Sequence, residues 1–344
     1  MQLPASVFSG CFKTSHCQGV ALDTKREFVY WSYTTMLVKT DLAGNLIGSV
    51  TGLMGHLGCL AFNDADGKLY GSLEYKQDAI GKGILKRLGS DAQLEDAFYI
   101  AVFDVEKITR PDMDACADGV MKTVYLKEVI DDYAAQIDVN GQMLAHRHGC
   151  SGIDGVTFAP MPGGDFDKRY LFVAYGVYGD VTRTDNDYQV LLCYDTADWS
   201  ALAQPLSQKN MHHAGPTAPL HKFFVHTGNT TYGVQNLEYD PFTNTLLMAV
   251  YAGKKEQYPN YTLMAVDACV APFTAPLEGV VPAMEGEMLT LKRGGWYFPH
   301  GSTGLFALGN GHYYISEHGS DERGQFSTIY LYKWDGEHPF VYAK

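Results

Sequence analysis

The stretch SHCQGVALD, residues 15–23, is repeated in outline by GHLGCLAFN, residues 55–63. Each copy has a histidine, three further residues, and then an apolar segment that ends in Asp or Asn. Short runs of alternating apolar and small or polar residues are typical of β-strands. The pair therefore predicts a fold built from equivalent strand units, and internal repeats should be sought along the whole chain.

Two further strand motifs follow the first one in the same order, five times along the chain. The first motif is QGVALD, GCLAFN, DGVTFA, QNLEYD or TGLFAL. The second is FVYWSY, LYGSLEY, YLFVAY, LLMAVY or YYISEH. The third is an apolar run that closes on Asp41, Asp104, Asp195, Asp267 or Asp335, where the carboxylate is expected to organise a turn. Five small antiparallel sheets bury their faces most simply by packing against each other in a ring.

The chain resembles β-propeller proteins over nearly its whole length and is similar in blade number to five-bladed carbohydrate-active enzymes and lectins. We predict an all-β, five-bladed β-propeller of four-stranded antiparallel blades with short helical insertions, in one domain over residues 1–344. The predicted blades are 13–50, 56–126, 150–226, 232–292 and 300–344. Either the N-terminal segment or the C-terminal PFVYA closes the last blade.

The fourth strands and the insertions follow from the spacing of the repeats. Fourth strands are expected at 45–50, 122–126, 223–226 and 287–292. Residues 76–98 and 127–136 have helical character, and a polar loop at 204–219 is expected to decorate blade three.

Composition excludes several classes of partner. A net charge of −13 disfavours nucleic acid and anionic membranes, since both are bound through clustered Lys and Arg. No apolar run is long enough to cross a bilayer. Seven scattered cysteines without a CxxC motif, and no visible signal peptide, predict reduced thiols and a cytoplasmic location. The Gly81 and Gly83 segment lacks the context of a phosphate loop, so no nucleotide cofactor is expected.

Residues just before the first strands and just after the second strands of a propeller meet at one rim of the central channel. Neutral imidazoles converging with carboxylates would suit one divalent cation such as Mn, Ca, Zn or Fe. The predicted metal ligands are His16, His56, His300 and His318. Alternatively, each is an ordinary surface or hydrogen-bonded histidine.

Most candidates for acid, base and substrate contact also fall near this rim, whereas Asp154 starts a first strand and Glu238 lies inside one. Predicted catalytic residues are Glu74, Asp154, Glu238, Glu317 and Tyr33. Predicted substrate-binding residues are Lys76, Arg147, His148, Tyr175 and Tyr251. Each carboxylate could instead hydrogen-bond backbone amides at a blade entrance, and each aromatic ring could simply pack at a strand end.

The leading functional hypothesis is an enzyme with one central site that acts on a small sugar, uronate or oligosaccharide. It would use hydrolysis by paired carboxylates or metal-assisted β-elimination. The alternatives are a lectin-like binding propeller and a protein-interaction scaffold. Rim positions differ between blades, as Ser32, Glu74, Tyr175, Tyr251 and Glu317 show, which favours one central site over five equivalent ones.

Overall fold

The computed structural model describes residues 3–139 and 141–343 of the chain. Strand β1 (Ser6–Phe12) precedes the first blade. Blade one consists of β2 (Cys17–Leu22), β3 (Phe28–Tyr33), β4 (Met36–Asp41) and β5 (Leu46–Thr51). The elements of blade two and its insertions are β6 (His56–Asn63), β7 (Lys68–Tyr75), α1 (Ala79–Leu88), β8 (Ala97–Phe103), β9 (Met113–Asp114) and β10 (Met121–Tyr125).

Blade three follows a short connection. The connection contains α2 (Lys127–Tyr133), the hairpin β11 (Gln136–Val139) and β12 (Gln142–Ala145), and a 3-10 turn (Arg147–Gly149). The elements of blade three are β13 (Cys150–Ala159), β14 (Tyr170–Val177), β15 (Tyr188–Tyr194), α3 (Trp199–Leu202) and β16 (His221–His226).

The last two blades complete the ring. Blade four and its insertion contain β17 (Thr231–Asp240), β18 (Thr245–Tyr251), β19 (Leu263–Asp267), β20 (Phe273–Pro276), β21 (Glu285–Met288) and β22 (Leu291–Trp296). Blade five contains β23 (Leu305–Ala307), β24 (His312–Asp321), β25 (Gly324–Trp334) and β26 (Phe340–Tyr342).

The first strands of the blades form the inner ring: β2 contacts β6, β6 contacts β13, β13 contacts β17, β17 contacts β23, and β23 returns to β2. Five clusters of buried apolar side chains fill the interfaces between neighbouring blades of the described chain. This is the arrangement that the fivefold strand repeat requires, since a single blade cannot bury both of its faces. The prediction of an all-β, five-bladed propeller is confirmed.

Blade five is closed by both ends of the chain. Strand β1 pairs with Gln325–Tyr330 of β25, and β26 pairs with Tyr332–Trp334 of the same strand. At 11 residues β25 is long enough to pair with both segments. The sequence offered the two termini as alternatives, whereas the structure uses them together.

Extra strands widen two blades. The fourth strand of blade four is β22, whereas β21 pairs in parallel with β16 of blade three. The predicted fourth strand at 287–292 therefore overlaps the end of β21 and the start of β22. Strand β9 likewise adds to blade one by parallel pairing with β5.

The polar loop at 204–219 lies against blade two. The N–H of Thr123 donates to the carbonyl oxygen of Gln204 at 2.8 Å, and the N–H of Tyr125 donates to that of Ala214 at 2.9 Å. Both donors belong to β10, whose outer edge would otherwise be unpaired. In sequence the loop belongs to blade three, as predicted, but in the structure it covers the edge of blade two.

Aspartates close turns at the ends of third strands, as the repeat predicts. Oδ1 of Asp41 accepts from the N–H groups of Ala43 and Asn45 at 2.9 and 2.8 Å. Asp195 and Asp267 make the same kind of bond to the residue two positions later. Among the residues described, no helix is long and apolar enough to cross a membrane.

Candidate functional site

A cavity of about 720 Å³ lies at the end of the channel where first strands begin and second strands end. It is lined by six of the side chains that were predicted as site residues from the sequence. These are His16, His56, Glu74, Lys76, Asp154 and Tyr251. Residues separated by more than 200 positions in sequence thus meet in one place.

Side chains at equivalent positions of the first strands contribute to the cavity lining. Gln18, Asp154 and Gln235 each occupy the first position of the repeated strand motif and line the cavity. Blade two has Gly58 at that position. A Cβ atom there would lie only 2.9 Å from Oδ1 of Asp154, so glycine leaves room for the carboxyl group.

Helix α1 contributes one wall of the cavity. Its residues Ile80, Ile84 and Arg87 line the space. The helix begins directly after the site residue Lys76, and the Asp78 side chain caps it by accepting from the N–H groups of Ile80 and Gly81. The insertion into blade two is therefore part of the site.

A buried ion pair joins Glu74 and Lys76. Oε1 of Glu74 lies 2.5 Å from Nζ of Lys76, and Oε2 accepts from the N–H of Ile153 at 3.0 Å. Lys76 also donates to the carbonyl oxygen of Ser151 at 2.8 Å. Burial opposes the charge on Lys76, but the nearby carboxylates outweigh it and raise the pKa of the ammonium group.

Strand alternation explains how this pair reaches the cavity. Successive side chains of a strand point to opposite faces, so Glu74 and Lys76 share one side of the end of β7. Tyr75, between them, points the other way, and its hydroxyl hydrogen-bonds Oε1 of Gln208 at 2.8 Å.

Asp154 and His56 form a second buried pair. Oδ1 of Asp154 lies 3.6 Å from Nδ1 of His56, and Oδ2 accepts from the side-chain amide of Gln235 at 3.1 Å. Nδ1 of His56 is enclosed and has no hydrogen-bond partner among the described residues, whereas Nε2 is not enclosed in this way. One ring nitrogen thus faces the carboxyl group, and the other is free to meet a ligand.

The protonation of this pair follows from its surroundings. Burial, followed by the charge of Glu74, raises the pKa of Asp154 well above its ordinary value, although Lys76 and Gln235 oppose the shift. Burial and the positive charge of Lys76 lower the pKa of His56 to about 3. The carboxyl group therefore holds a proton to unusually high pH, while the imidazole stays neutral.

His16 is also neutral in this environment. Its Nε2 lies 3.2 Å from the side-chain amide nitrogen of Gln18, which can only donate, so Nε2 accepts. Burial lowers the pKa of His16, and His318 and Arg87 lower it further. The ring centroids of His16 and His318 are 5.6 Å apart.

The four histidines predicted as metal ligands lie along one rim, but they do not form a single group of ligands. His56 faces Asp154, His16 faces His318, and His300 lies 3.7 Å from Glu317 outside the cavity lining. Within residues 3–139 and 141–343, no group of three or more His, Cys, Asp or Glu side chains is placed to hold a metal ion.

Two predicted catalytic residues have structural partners outside the cavity. Tyr33 is fully buried between blades one and five, where its hydroxyl hydrogen-bonds Oγ of Ser9 at 2.7 Å. Glu317 accepts hydrogen bonds from the hydroxyl groups of Tyr332 and Tyr342 at 2.9 and 2.5 Å.

Three predicted substrate-binding residues lie near α2 rather than in the cavity. The Tyr175 hydroxyl donates to Oδ2 of the buried Asp132 at 2.9 Å, and Arg147 pairs with Oδ1 at 3.0 Å. His148 is buried against Phe224. The sequence could not show that α2 and the 3-10 turn direct these side chains away from the channel.

Glu238 lies toward the opposite end of the channel. It follows Gln235 by three residues on β17, which is about 10 Å along a strand. It lines a separate cavity of about 660 Å³, and its Oε1 accepts from the N–H of Ala307 at 2.8 Å. Burial, with a smaller effect of Asp240, raises the pKa of Glu238 to about 8.

Replacing Glu238 by glutamine is expected to stabilise the protein at alkaline pH. The folded pKa of about 8 lies above the ordinary glutamate pKa of 4.5, so the folded state holds this proton more tightly than the unfolded chain does. The contribution of Glu238 to the free energy of unfolding is therefore largest below pH 4.5, and it is lost as the pH rises through 8. At pH 9 the variant should gain about 3 to 5 kcal/mol, since its amide oxygen can still accept from Ala307.

Urea unfolding at pH 5 and pH 9 measures this effect. The gain in free energy of unfolding of the glutamine variant over the wild type should be small at pH 5 and large at pH 9. An equal gain at the two pH values would show that Glu238 is not protonated in the folded protein.

The cavity also contains residues that the rim rule overlooked. Gln18 and Gln235 each begin a repeated strand motif, and this shared position was a usable signal. Arg87 lies in an insertion outside the repeat, so no periodic pattern in the sequence places it in the cavity.

Comparisons with solved structures find distant neighbours, and some of these are propellers. No protein-family model matches the chain, and no curated protein matches it significantly. The Dos1 propeller structure is 12% identical with a TM-score of 0.36, and the match covers 95% of this chain and 70% of that chain. The calcium structure of a Trichoderma reesei carbohydrate-active enzyme of family AA12 is 13% identical with a TM-score of 0.41, covering 90% and 80%.

A third similar structure is the PQQ domain of pyranose dehydrogenase from Coprinopsis cinerea in its holo form. It is 12% identical with a TM-score of 0.36, and the match covers 91% of this chain and 81% of that chain. The assignment of five blades rests on the sheets and interfaces of this chain itself.

Proposed function

We propose that the protein is a carbohydrate-active enzyme that cleaves a small sugar or sugar-acid substrate in the central cavity. The Asp154–His56 pair would act as general acid and base. The observation that supports this most directly is the buried carboxyl group 3.6 Å from the enclosed nitrogen of an imidazole that lines the cavity.

The size and lining of the cavity suit a polyhydroxylated ligand. A volume of about 720 Å³ is within the range of small-molecule sites. The amides of Gln18 and Gln235 and the hydroxyl of Tyr251 supply donors and acceptors for sugar hydroxyl groups. The rings of Tyr232 and Tyr251 supply apolar surface for the face of a sugar ring.

The proposed acid and base steps require Asp154 and His56 to close from 3.6 Å to hydrogen-bonding distance when the substrate binds. With Asp154 protonated, Nε2–H of His56 donates a proton to the leaving glycosidic oxygen, while the Asp154 proton moves to Nδ1. The pair is then short of one proton, and it recovers this proton from the attacking water in hydrolysis. In an elimination it would recover it from the carbon next to a carboxylate.

Glu74 is better suited to act on Asp154 through its charge than to attack the substrate as a nucleophile. Both of its oxygens are engaged, one by Lys76 and the other by the N–H of Ile153. Its charge raises the pKa of Asp154 and so keeps the proton available. We therefore assign the proton transfer to Asp154 and His56, and we assign Glu74 and Lys76 to positioning.

A panel of glycosides and uronides tests the proposal. Wild-type protein should release products from one of them, and mass spectrometry distinguishes hydrolysis, which adds water, from elimination, which does not. A ligand that binds in the cavity without turnover would instead indicate a lectin-like propeller and would overturn the enzymatic proposal.

A further inference from the structure

Arg87 is an exposed arginine whose side chain lines the wall of the central cavity. It lies in the last turn of α1, lines the central cavity, and donates to Oγ of Ser15 in blade one. In the described part of the chain, no carboxylate oxygen lies within 4.0 Å of its guanidinium group. The chain has 39 acidic and 26 basic residues, so acidic partners are abundant elsewhere.

Lys76, which also lines the central cavity, is neutralised, and so is Arg147 near α2. Lys76 pairs with Glu74 at 2.5 Å, and Arg147 pairs with Asp132 at 3.0 Å. Arg87 is thus a cavity-lining cation whose positive charge remains uncompensated while a neutral hydroxyl occupies one of its donors. A guanidinium group has five N–H donors in a planar fork that matches a carboxylate.

We infer that the preferred substrate is a sugar acid and that Arg87 binds its carboxylate. This inference rests on the proposed function, because it names the substrate class for the same cavity. The carboxylate would replace Ser15 as the partner of Arg87, at the wall formed by α1. The sugar ring would then extend toward His56 and Asp154, which line the same space.

A pair of probes that differ only in the acid group tests the inference. D-glucuronate and D-glucose are titrated calorimetrically into full-length protein, and galacturonate and galactose serve as a second pair. Wild-type protein should prefer the acid of one pair. Replacement of Arg87 by glutamine should weaken binding of that acid by about 10- to 100-fold, in line with a lost charge-assisted hydrogen bond, and leave the neutral sugar unaffected.

Two variants control for charge and for folding. Lys86→Gln removes the same charge from the same turn of α1. Both residues are exposed, but Lys86 does not line the cavity, so the preference should remain. Arg87→Lys should retain part of the preference for the acid, because it keeps the positive charge. Thermal unfolding of each variant shows whether the fold is preserved.

The outcomes separate this inference from the enzymatic proposal. Equal acid preference in the Arg87→Gln and Lys86→Gln variants, or no binding of any acid probe by wild-type protein, overturns the inference. Loss of the preference specifically in Arg87→Gln supports it even when substitutions of Asp154 leave turnover intact. That last result would overturn the catalytic roles alone.

Discussion

Replacement of Asp154 by asparagine is expected to lower kcat by about 10²- to 10⁴-fold on a substrate cleaved by the wild-type protein. Asparagine has the same shape and can still contact Gln235, but it has no carboxyl proton to pass to His56. Binding of the substrate should change little, because the amide keeps the volume of the cavity. The measurement is steady-state kinetics on both proteins at the same pH.

The pH profile gives this prediction a second readout. Because burial and Glu74 raise the pKa of Asp154, the acid form persists to high pH, and activity should fall as the pH rises through that raised value. Lys76, His56 and Gln235 also face this carboxyl group, and the low pKa of His56 keeps its ring neutral throughout. The residual activity of the asparagine variant should lack the alkaline decline.

The Glu238→Gln variant is the matched control for Asp154. It also removes a buried carboxyl group with a raised pKa, but toward the opposite end of the channel. Its kcat should be close to that of the wild type. Full activity of the Asp154 variant, or equal losses in both variants, would contradict the assignment of the acid to Asp154.

Replacement of Lys76 by methionine is expected to lower the free energy of unfolding by about 3 to 5 kcal/mol. Methionine fills a similar volume but leaves Glu74 buried without its counter-charge, and the side chains of both residues are at most 5% exposed. The carbonyl oxygen of Ser151 also loses its donor. Urea unfolding at neutral pH measures the change.

A substitution of Glu74 and a change of pH show whether the unpaired charge causes the loss of stability. A Lys76→Met, Glu74→Gln double variant should recover part of the loss, since it removes the unpaired charge. The defect of the single variant should shrink as the pH falls, because Glu74, whose pKa burial already raises, then becomes protonated. An equal loss at every pH, with no recovery in the double variant, would indicate a packing defect instead.

An exposed ion pair supplies the control for Lys76. Lys168 lies 2.8 Å from Asp195, but the two side chains are 52% and 34% exposed. Its replacement by methionine should change the free energy of unfolding far less than the Lys76 replacement does, because water screens the pair.

The blade repeat could be predicted because it is local. Each strand motif alternates within six or seven residues, and each third strand closes on an aspartate such as Asp41 that bonds its own turn. The rim rule then placed His16, His56 and Glu74 at one end of the channel, where they line the same cavity, since strand ends are fixed by the repeat. It could not separate them from Tyr33 or Tyr175, which follow the same rule but point between blades or toward α2.

By itself, the sequence determined the number of blades, the order of their strands and the end of the channel where polar side chains collect. These features depend on short-range periodicity and on the need of each sheet to bury its faces. Only the tertiary structure decided which side chains form pairs, that α1 brings Arg87 to the cavity, and that both termini close blade five. Such contacts join residues far apart in the chain, and their distances depend on side-chain direction and on insertions that no repeat encodes.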